Sequence, residues 1–375
     1  MSERKLAHIE QIEWIKDIPG ADKIELCGIL GWQCVIAKKD NFKIGDFVVY
    51  IEVDSIVPED PMFEFLRDRK FRVKTIKLRG VLSQGLVTPI SVLPSKIKIS
   101  LGLDVSDILK ITKYLSPSEK EEFETEQKNI SLEKNRLKKF MMRYSWFRRI
   151  FLSRKCKSGF PYWVQKTNEE RIQNLGEKFL IENADKYVYV TEKVDYQSGT
   201  WASKKVPKFS GILGKLLPLK KVLFVVASRN LQTNNKDSLY WKIAEKYNLK
   251  SICKKYPGII IQGEQGNSKI QKNKYGLVHP KMWIFNVIMP GIGWLNYEEM
   301  NSFREKNNLD IVPFIGYYRL GDICPNMESA IEFAKGESKL AKINREGVVI
   351  RCIEDGKKVL SFKIINNDFL LEHNE

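Results

Sequence analysis

A helix-patterned, strongly charged stretch at about residues 111–160 divides this 375-residue chain into two parts that are rich in short strands. The stretch is acidic from Glu119 to Glu133, whereas Lys134 to Lys157 contains no acidic residue. Its second half has apolar residues at the spacing of an amphipathic helix: Leu137, Phe140, Met141, Tyr144, Phe147 and Phe151. We therefore predict an α+β protein with a first domain at 1–110, a basic helical linker at 111–160 and a second domain at 161–375.

Residues 1–110 consist of short apolar runs separated by glycines, such as Trp32 to Ala37 and Phe47 to Val53. Closely spaced short strands favour a small β-barrel, the OB-fold in particular. Basic residues recur along one stretch of this domain: Lys70, Arg72, Lys74, Lys77 and Arg79. They form either a nucleic-acid-binding stripe or a solvated strand face, and the spacing leaves both interpretations open.

The charge balance indicates a polyanionic partner. The chain has 63 lysines and arginines against 46 acidic residues, a net charge of +17, so nucleic acid is the simplest partner, although a basic protein without one stays possible. The linker could bind nucleic acid, a membrane surface or the protein's own domains. Because no apolar run approaches the roughly 20 residues that span a bilayer, and the N-terminus lacks an apolar signal core, we expect a cytoplasmic monomer with no membrane partner.

Cysteine and histidine usage argues against two common kinds of site. The six cysteines show no paired spacing typical of zinc ligands, and the chain has only three histidines. A zinc centre or a Ser-His-Asp triad is therefore poorly supported.

Lys193 is the most informative residue for chemistry. It follows an alternating apolar strand that begins at Tyr187, and Asp195 lies two residues beyond it. Two later segments add Glu346 and Lys363. A lysine held at a strand end beside acids suits attack on a nucleotide phosphate, provided that the amine can lose its proton. By itself Lys193 would be interpreted as an ordinary exposed lysine.

The last two segments form a predicted hairpin with its turn at Asp355-Gly356. A two-residue turn at this position places Lys363 opposite Val348. Glu346, Val348 and Lys363 would then project from one side of the hairpin, with Glu346 about 7 Å from Lys363. An ordinary salt-bridged hairpin is the alternative.

Five segments in order resemble the motifs of the covalent nucleotidyltransferase superfamily, which comprises polynucleotide ligases and mRNA capping enzymes. They are Lys193-Val-Asp195, Ser228-Arg229-Asn230, Gly263-Glu264 with Trp283-Ile-Phe285, Glu346-Gly-Val-Val, and Ser361-Phe-Lys363. The OB-like domain before the transferase domain, and the stretch Lys166 to Asn174 between them, resemble the RNA ligases typified by the Deinococcus and Naegleria enzymes. The chain departs from the motifs at Tyr196, where the family has glycine, at Ser198, and at Ser361, where a lysine is frequent.

This resemblance implies an ATP-dependent RNA ligase whose mixed-sheet nucleotidyltransferase domain is ATP-grasp-like. It implies that Lys193 takes AMP from ATP, that Lys363 stabilises the charge on the phosphate, and that Arg229 contacts the ribose or phosphates. Phe285 and Val348 would sandwich the adenine, and Glu192 would contact its edge. We expect Asp195, Glu264 and Glu346 to hold a hydrated Mg²⁺ or Mn²⁺, because these cations prefer oxygen ligands and keep waters.

The expected substrate is RNA with a nick in a duplex, as in RNA repair. An ATP-dependent DNA ligase is the first alternative, and a capping enzyme that uses GTP is a weaker one. A non-catalytic OB-domain protein that binds RNA is the alternative from a different class. The role of the lysine-rich loop Lys204 to Lys221 is left open.

Overall fold

The computed structural model of the protein describes residues 4–115, 120, 159–167, 169–208 and 219–373. Most of the predicted helical linker lies outside the described residues. The described parts form two strand-rich domains, and the last strand of the first domain ends at Lys113, just after the predicted boundary at residue 110. None of the helices in the described ranges has the length and apolar character needed to cross a bilayer.

The N-terminal domain is an antiparallel β-structure, and the predicted OB-fold is confirmed. Its strands are β1 Ala7–Gln11, β2 Trp14–Asp17, β3 Ile24–Ile29, β4 Trp32–Ala37, β5 Phe47–Ile51, β6 Ser55–Ile56, β7 Thr75–Leu78, β8 Val81–Gln84, β9 Leu86–Pro89 and β10 Thr112–Lys113. Short 3₁₀ helices lie at Lys38–Asp40, Pro61–Arg69 and Ile90–Val92. Strand β5 is buried on both faces, because Val49 and Ile51 enter one hydrophobic cluster while Val48 and Tyr50 enter another.

The C-terminal domain contains two five-stranded sheets, ordered β11-β20-β19-β12-β18 and β14-β13-β15-β16-β17. Their strands are β11 Glu170–Arg171, β12 Tyr187–Glu192, β13 Gln197–Pro207, β14 Lys220–Ser228, β15 Ile260–Gly266, β16 Lys281–Met289, β17 Gly293–Trp294, β18 Phe314–Arg319, β19 Gly347–Glu354 and β20 Lys357–Ile365. Only β11 and β20 pair in parallel within the described residues, so the first sheet is mixed, as predicted.

The C-terminal domain also contains helices within the described residues. They are α1 Ile172–Glu182, α2 Leu239–Lys246, α3 Leu249–Lys255, α4 Tyr297–Asn307, α5 Leu320–Ile323, α6 Met327–Phe333 and α7 Asn367–His373, with a 3₁₀ turn at Gln271–Asn273. Alternate residues of the second sheet, such as Trp201, Val226 and Ile261, pack on α2, α3 and α4. The first sheet packs on α1, α5 and α6 in the same way. The inner faces of both sheets are therefore left for polar side chains.

The closing hairpin corrects one prediction about register. Its turn lies at Asp355-Gly356 as expected, and Glu354 pairs with Lys357. A β-bulge between Cys352 and Ile353 then shifts the register by one residue, so Lys363 pairs with Val349. The predicted pairing with Val348 is wrong, because a two-residue turn fixes the register only up to the first bulge.

The N-terminal domain docks on the start of α1. The Trp32 indole Nε1 donates to Asn174 Oδ1 at 2.6 Å, and Gly31 N donates to Gln173 O at 2.9 Å. Asn174 Nδ2 in turn donates to Glu52 Oε1 at 2.8 Å. These contacts fix the barrel against the edge of the first sheet.

Candidate active site

A cavity of about 320 Å³ lies between the inner faces of the two C-terminal sheets. Motif residues Lys193, Glu264 and Lys363 line it. The N-terminal domain closes one side, since Arg4 and Asp54 line the same cavity. The site is therefore assembled from both domains.

Lys193 follows the last residue of β12, and its backbone N–H donates to Gly347 O at 2.9 Å. Its ammonium forms an ion pair with the Glu346 carboxylate. Burial lowers the pKa of Lys193, but the carboxylates of Glu346, Asp195 and Glu264 outweigh it, so the pKa lies above its ordinary 10.5. In this state Lys193 is protonated and cannot act as a nucleophile.

Glu346 reaches the cavity because of the backbone at Gly347. Gly347 has φ of 153°, and a Cβ there would lie 2.1 Å from Ile364 O, so only glycine fits. This conformation interrupts the alternation of side chains at the start of β19. Glu346 and Val349 consequently line the cavity, whereas Val348 is fully buried in the hydrophobic cluster on the other face of the sheet. The structure therefore places Val349, and not the predicted Val348, at the cavity wall.

Glu264 is the acid whose charge is least compensated. Its Oε2 atom is buried and has no hydrogen-bond partner among the described residues. Burial raises its pKa to about 8, with the Glu346 carboxylate adding to the effect and Lys193 opposing it. An uncompensated carboxylate of this kind attracts a cation.

Asp195 is held by a residue that sequence reasoning missed. Lys274 Nζ lies 2.5 Å from Asp195 Oδ2, and both side chains are buried. The same ammonium lies 4.6 Å from the centroid of the Phe369 ring. Asp195 N also donates to the Tyr275 hydroxyl at 3.0 Å. Lys274 follows three residues with positive φ, Gln271 to Asn273, and no sequence pattern predicts that this turn reaches the motif.

A cluster of basic residues lines the same cavity as these acids. Arg171 of β11 pairs with Lys363 in the parallel register, and Arg229 follows the end of β14. Burial lowers the pKa of Lys363 well below its ordinary value, and the nearby Arg171, Arg229, Lys193 and Arg4 lower it further. Such a cluster is suited to a polyanion, whose negative charge would raise the pKa of Lys363.

The first domain contributes to the cluster through Asp54. Its carboxylate accepts from Arg72 Nη2 at 2.7 Å and lies 3.6 Å from Arg171 Nη2. Burial raises the pKa of Asp54, but Arg171 and Arg72 outweigh this effect and the pKa is lowered. Asp54 is therefore an anion that orients two arginines along the cavity wall.

Comparisons with known proteins identify families and solved structures that are similar to this chain. A family model described as RNA ligase matches residues 186–365, and a model described as an OB-fold domain matches residues 6–90. Among solved structures, an apo variant of Naegleria gruberi RNA ligase is 28% identical with a TM-score of 0.76, covering 100% of this chain and 99% of that chain. No curated protein sequence matches the chain.

Residues 186–365 of the chain belong to the RNA ligase family, and the whole chain shares the fold of the Naegleria gruberi enzyme. The Naegleria gruberi enzyme with pyrophosphate is 28% identical, and a variant with ATP and Mn is 27% identical. Each has a TM-score of 0.76 and covers 99% of both chains. The predicted family and its OB-domain branch are confirmed.

Two further residues predicted to contact the nucleotide, Phe285 and Glu192, both border the cavity. Phe285 lines the cavity, as expected for an aromatic wall. Glu192 borders the cavity, but its oxygens accept hydrogen bonds from the Ser338 hydroxyl and, at 2.9 Å, from Lys339 N. Glu192 therefore fixes the loop at Ser338, and the structure gives no support to its predicted contact with the adenine edge.

The acids of this ligase fit a hydrated cation better than a directly coordinated one. Asp195, Glu264 and Glu346 line one cavity. Within the described ranges, however, no three acidic, histidine or cysteine side chains are close enough to share an ion. The buried Glu264 Oε2 needs a donor, and the water shell of Mg²⁺ or Mn²⁺ can supply it.

The stretch Lys166 to Asn174, which precedes and begins α1, also contributes residues to the cavity. Thr167, Glu169 and Arg171 line the cavity, and Glu169 pairs with the buried Arg351 at 3.2 Å. All three belong to the sequence stretch that resembles the RNA ligases with an N-terminal OB-like domain. None of the three was predicted as a site residue, and neither were Arg4 and Lys274.

Proposed function

We propose that this chain is an ATP-dependent ligase that seals nicks in RNA duplexes through an AMP group bound covalently to Lys193. The observation that carries the proposal is the cavity itself. It is lined by Lys193 with three carboxylates and by a group of basic residues around Lys363. The first group suits a nucleophile with a metal, and the second suits the phosphates of a nucleotide.

The first step transfers AMP to the protein. Lys193 Nζ, after loss of its proton, forms a bond to the α-phosphorus of ATP while the bond to the β-phosphate oxygen breaks and pyrophosphate leaves. A hydrated Mg²⁺ or Mn²⁺ held by Asp195, Glu264 and Glu346 would favour the neutral amine and neutralise phosphate charge. Lys363 stabilises the charge that develops on the α-phosphate.

Other residues of the cavity bind and orient the nucleotide. The adenine lies between the Phe285 ring and Val349, which line the cavity from opposite sheets. The triphosphate runs toward Arg171, Arg229 and Arg4, because these arginines line the cavity and, with Lys193, act electrostatically on Lys363. The N-terminal domain contributes Arg4 to this binding.

The remaining steps act on RNA. The 5′-phosphate of the nick attacks the lysyl-AMP phosphorus, which breaks the P–N bond and releases Lys193. The 3′-hydroxyl then attacks the activated 5′-phosphate, forms the phosphodiester and releases AMP. The net charge of +17 supports a nucleic-acid substrate through its phosphates.

Incubation with ATP labelled on the α-phosphate, with Mg²⁺ or Mn²⁺, tests the first step by intact mass and by label on the protein. The wild-type chain should take up one AMP, and Lys193→Ala should take up none. Lys178→Ala is the matched control, because Lys178 is an exposed lysine on α1. Equal labelling of the Lys193→Ala variant would refute the nucleophile. Nicked duplexes with RNA or DNA at the 3′ side of the nick would then separate RNA ligase from DNA ligase.

A further inference from the structure

The far end of the β13–β14 hairpin carries a group of lysines outside the cavity. Lys204 and Lys205 lie on β13, and Lys220 and Lys221 lie on β14. The sequence has no acidic residue from 197 to 236. In the parts of the chain that the structure describes, none of these four lysines forms an ion pair with a carboxylate. Their positive charge is therefore not neutralised within this region.

The hairpin register sorts these lysines onto two faces. Val206 pairs with Lys221 and Lys205 pairs with Val222. Since paired residues share a face and residues two apart do too, Lys204 and Lys221 lie on one face. Lys205 and Lys220 lie on the opposite one. Ser198, which lines the cavity, belongs to the face of Lys204 and Lys221.

An exposed tyrosine stands beside the first pair. Tyr162 is 91% exposed, and Lys204 Nζ lies 5.3 Å from its ring centroid. The neighbouring Trp163 and Val164 pack with Ala202 on the same sheet face, which anchors the segment. An anchored but exposed aromatic ring beside Lys204, with Lys221 on the same sheet face, is a surface that suits a polar partner.

The segment 159–167 connects this surface to the site. It follows the sheet from Tyr162, beside Lys204, to Thr167, whose Oγ1 accepts from Ser198 Oγ at 2.9 Å. Lys204 lies six positions after Ser198 on β13. At about 3.3 Å per residue the two lie roughly 20 Å apart along the strand.

We propose that Tyr162, Lys204 and Lys221, here called the hairpin patch, bind the ribose-phosphate backbone of the duplex arm beside the nick. The inference rests on the proposed function and adds to it a surface for the substrate. Along an RNA duplex, roughly 20 Å corresponds to more than half a helical turn from the sealed junction, so the patch lies beyond the first few base pairs of the arm. Lysine ammonium groups and a tyrosine hydroxyl contact phosphates and not base edges, so this grip is independent of sequence.

The test compares two double variants of the same hairpin. Lys204→Gln/Lys221→Gln removes two charges from the proposed face, and Lys205→Gln/Lys220→Gln removes two charges from the opposite face. Affinity for a nicked RNA duplex with arms of about 12 base pairs is measured by fluorescence anisotropy against salt concentration. The first variant should bind about tenfold more weakly at 0.1 M salt, with a salt slope smaller by about 1.8, and the second should stay within about twofold of wild type.

Arm length gives the second readout. Each arm is shortened in turn to about four base pairs, and shortening the arm that reaches the patch should abolish the difference between wild type and Lys204→Gln/Lys221→Gln. Equal losses in both double variants, no loss in the first, or a difference that survives shortening of either arm would overturn the proposal. AMP uptake by Lys193 should be unchanged in both variants, and a wild-type chain that takes up no AMP would refute the proposed function separately.

Discussion

Lys274 and Asp195 form a buried ion pair, with 2.5 Å between Nζ and Oδ2, at the edge of the cavity that contains Lys193. The two residues are 79 positions apart. Lys274, which belongs to none of the five motifs, holds the Asp195 carboxylate in place. The Lys274 ammonium also balances the negative charge of Asp195 in the absence of nucleotide and metal ion.

Replacement of Lys274 by Met keeps the length of the side chain but leaves Asp195 buried without its partner. Loss of one member of a buried pair costs about 3–5 kcal/mol of unfolding free energy. We also expect AMP transfer to Lys193 to slow by about tenfold or more, because Asp195 is no longer held toward the cavity. Lys274→Arg keeps the cation and should recover most of the rate. Initial rates of AMP labelling, with urea unfolding alongside, measure both effects, and a Lys274→Met protein with the wild-type rate would contradict the role.

The correction of the hairpin register predicts opposite effects for two neighbouring valines. Val349→Ala removes methyl groups from the cavity wall and should raise the KM for ATP several-fold with little change in stability. Val348→Ala leaves a void in the hydrophobic cluster and should cost about 2 kcal/mol of unfolding free energy with an unchanged KM. ATP titration of AMP labelling and urea unfolding of both proteins provide the comparison. If Val348→Ala raised the KM for ATP and Val349→Ala lowered stability instead, the placement of Val349 at the cavity wall would be contradicted.

Domain docking depends on a close approach at Gly31. A Cβ at this position would lie 2.7 Å from the backbone Cα of Gln173 and 2.4 Å from the Met327 side chain. Gly31→Ala should therefore push the two domains apart and cost about 1–3 kcal/mol. Gly159→Ala is the control, because nothing lies within 4 Å of a Cβ there. Thermal unfolding of both variants tests this prediction, and equal midpoints would count against a tight junction.

The buried His8 predicts a pH dependence of stability. Burial lowers its pKa, but hydrogen bonds to Glu10 and Glu52 outweigh burial and raise the pKa to about 9. The folded chain thus retains a proton that the unfolded chain loses near pH 6.5. The contribution to stability is complete below pH 6.5 and is lost as the pH rises toward 9. His8→Gln should remove about 3 kcal/mol at pH 6 and much less at pH 9, as measured by urea unfolding at both values.

The position of the nucleophile could be predicted from the sequence because its signal is local. Lys193 and Asp195 lie within three residues, and an alternating strand fixes where both emerge. The order of the later motifs added Glu264, Phe285 and Glu346 in the same way, and all of them line one cavity. The OB-fold was predictable from short strands and glycines for a similar reason, since turns and alternation are properties of neighbouring residues.

The sequence alone therefore determined the two kinds of domain, the family and the residues of the motifs. Only the tertiary structure decided that Val349 and not Val348 faces the cavity, because a β-bulge alters register without a sequence signature. It also decided that Lys274, Arg4 and Asp54 belong to the site, since contacts between distant segments depend on how the domains and loops pack. Local sequence patterns predict strands, turns and the alternation of side chains. Tertiary packing decides which distant residues come into contact.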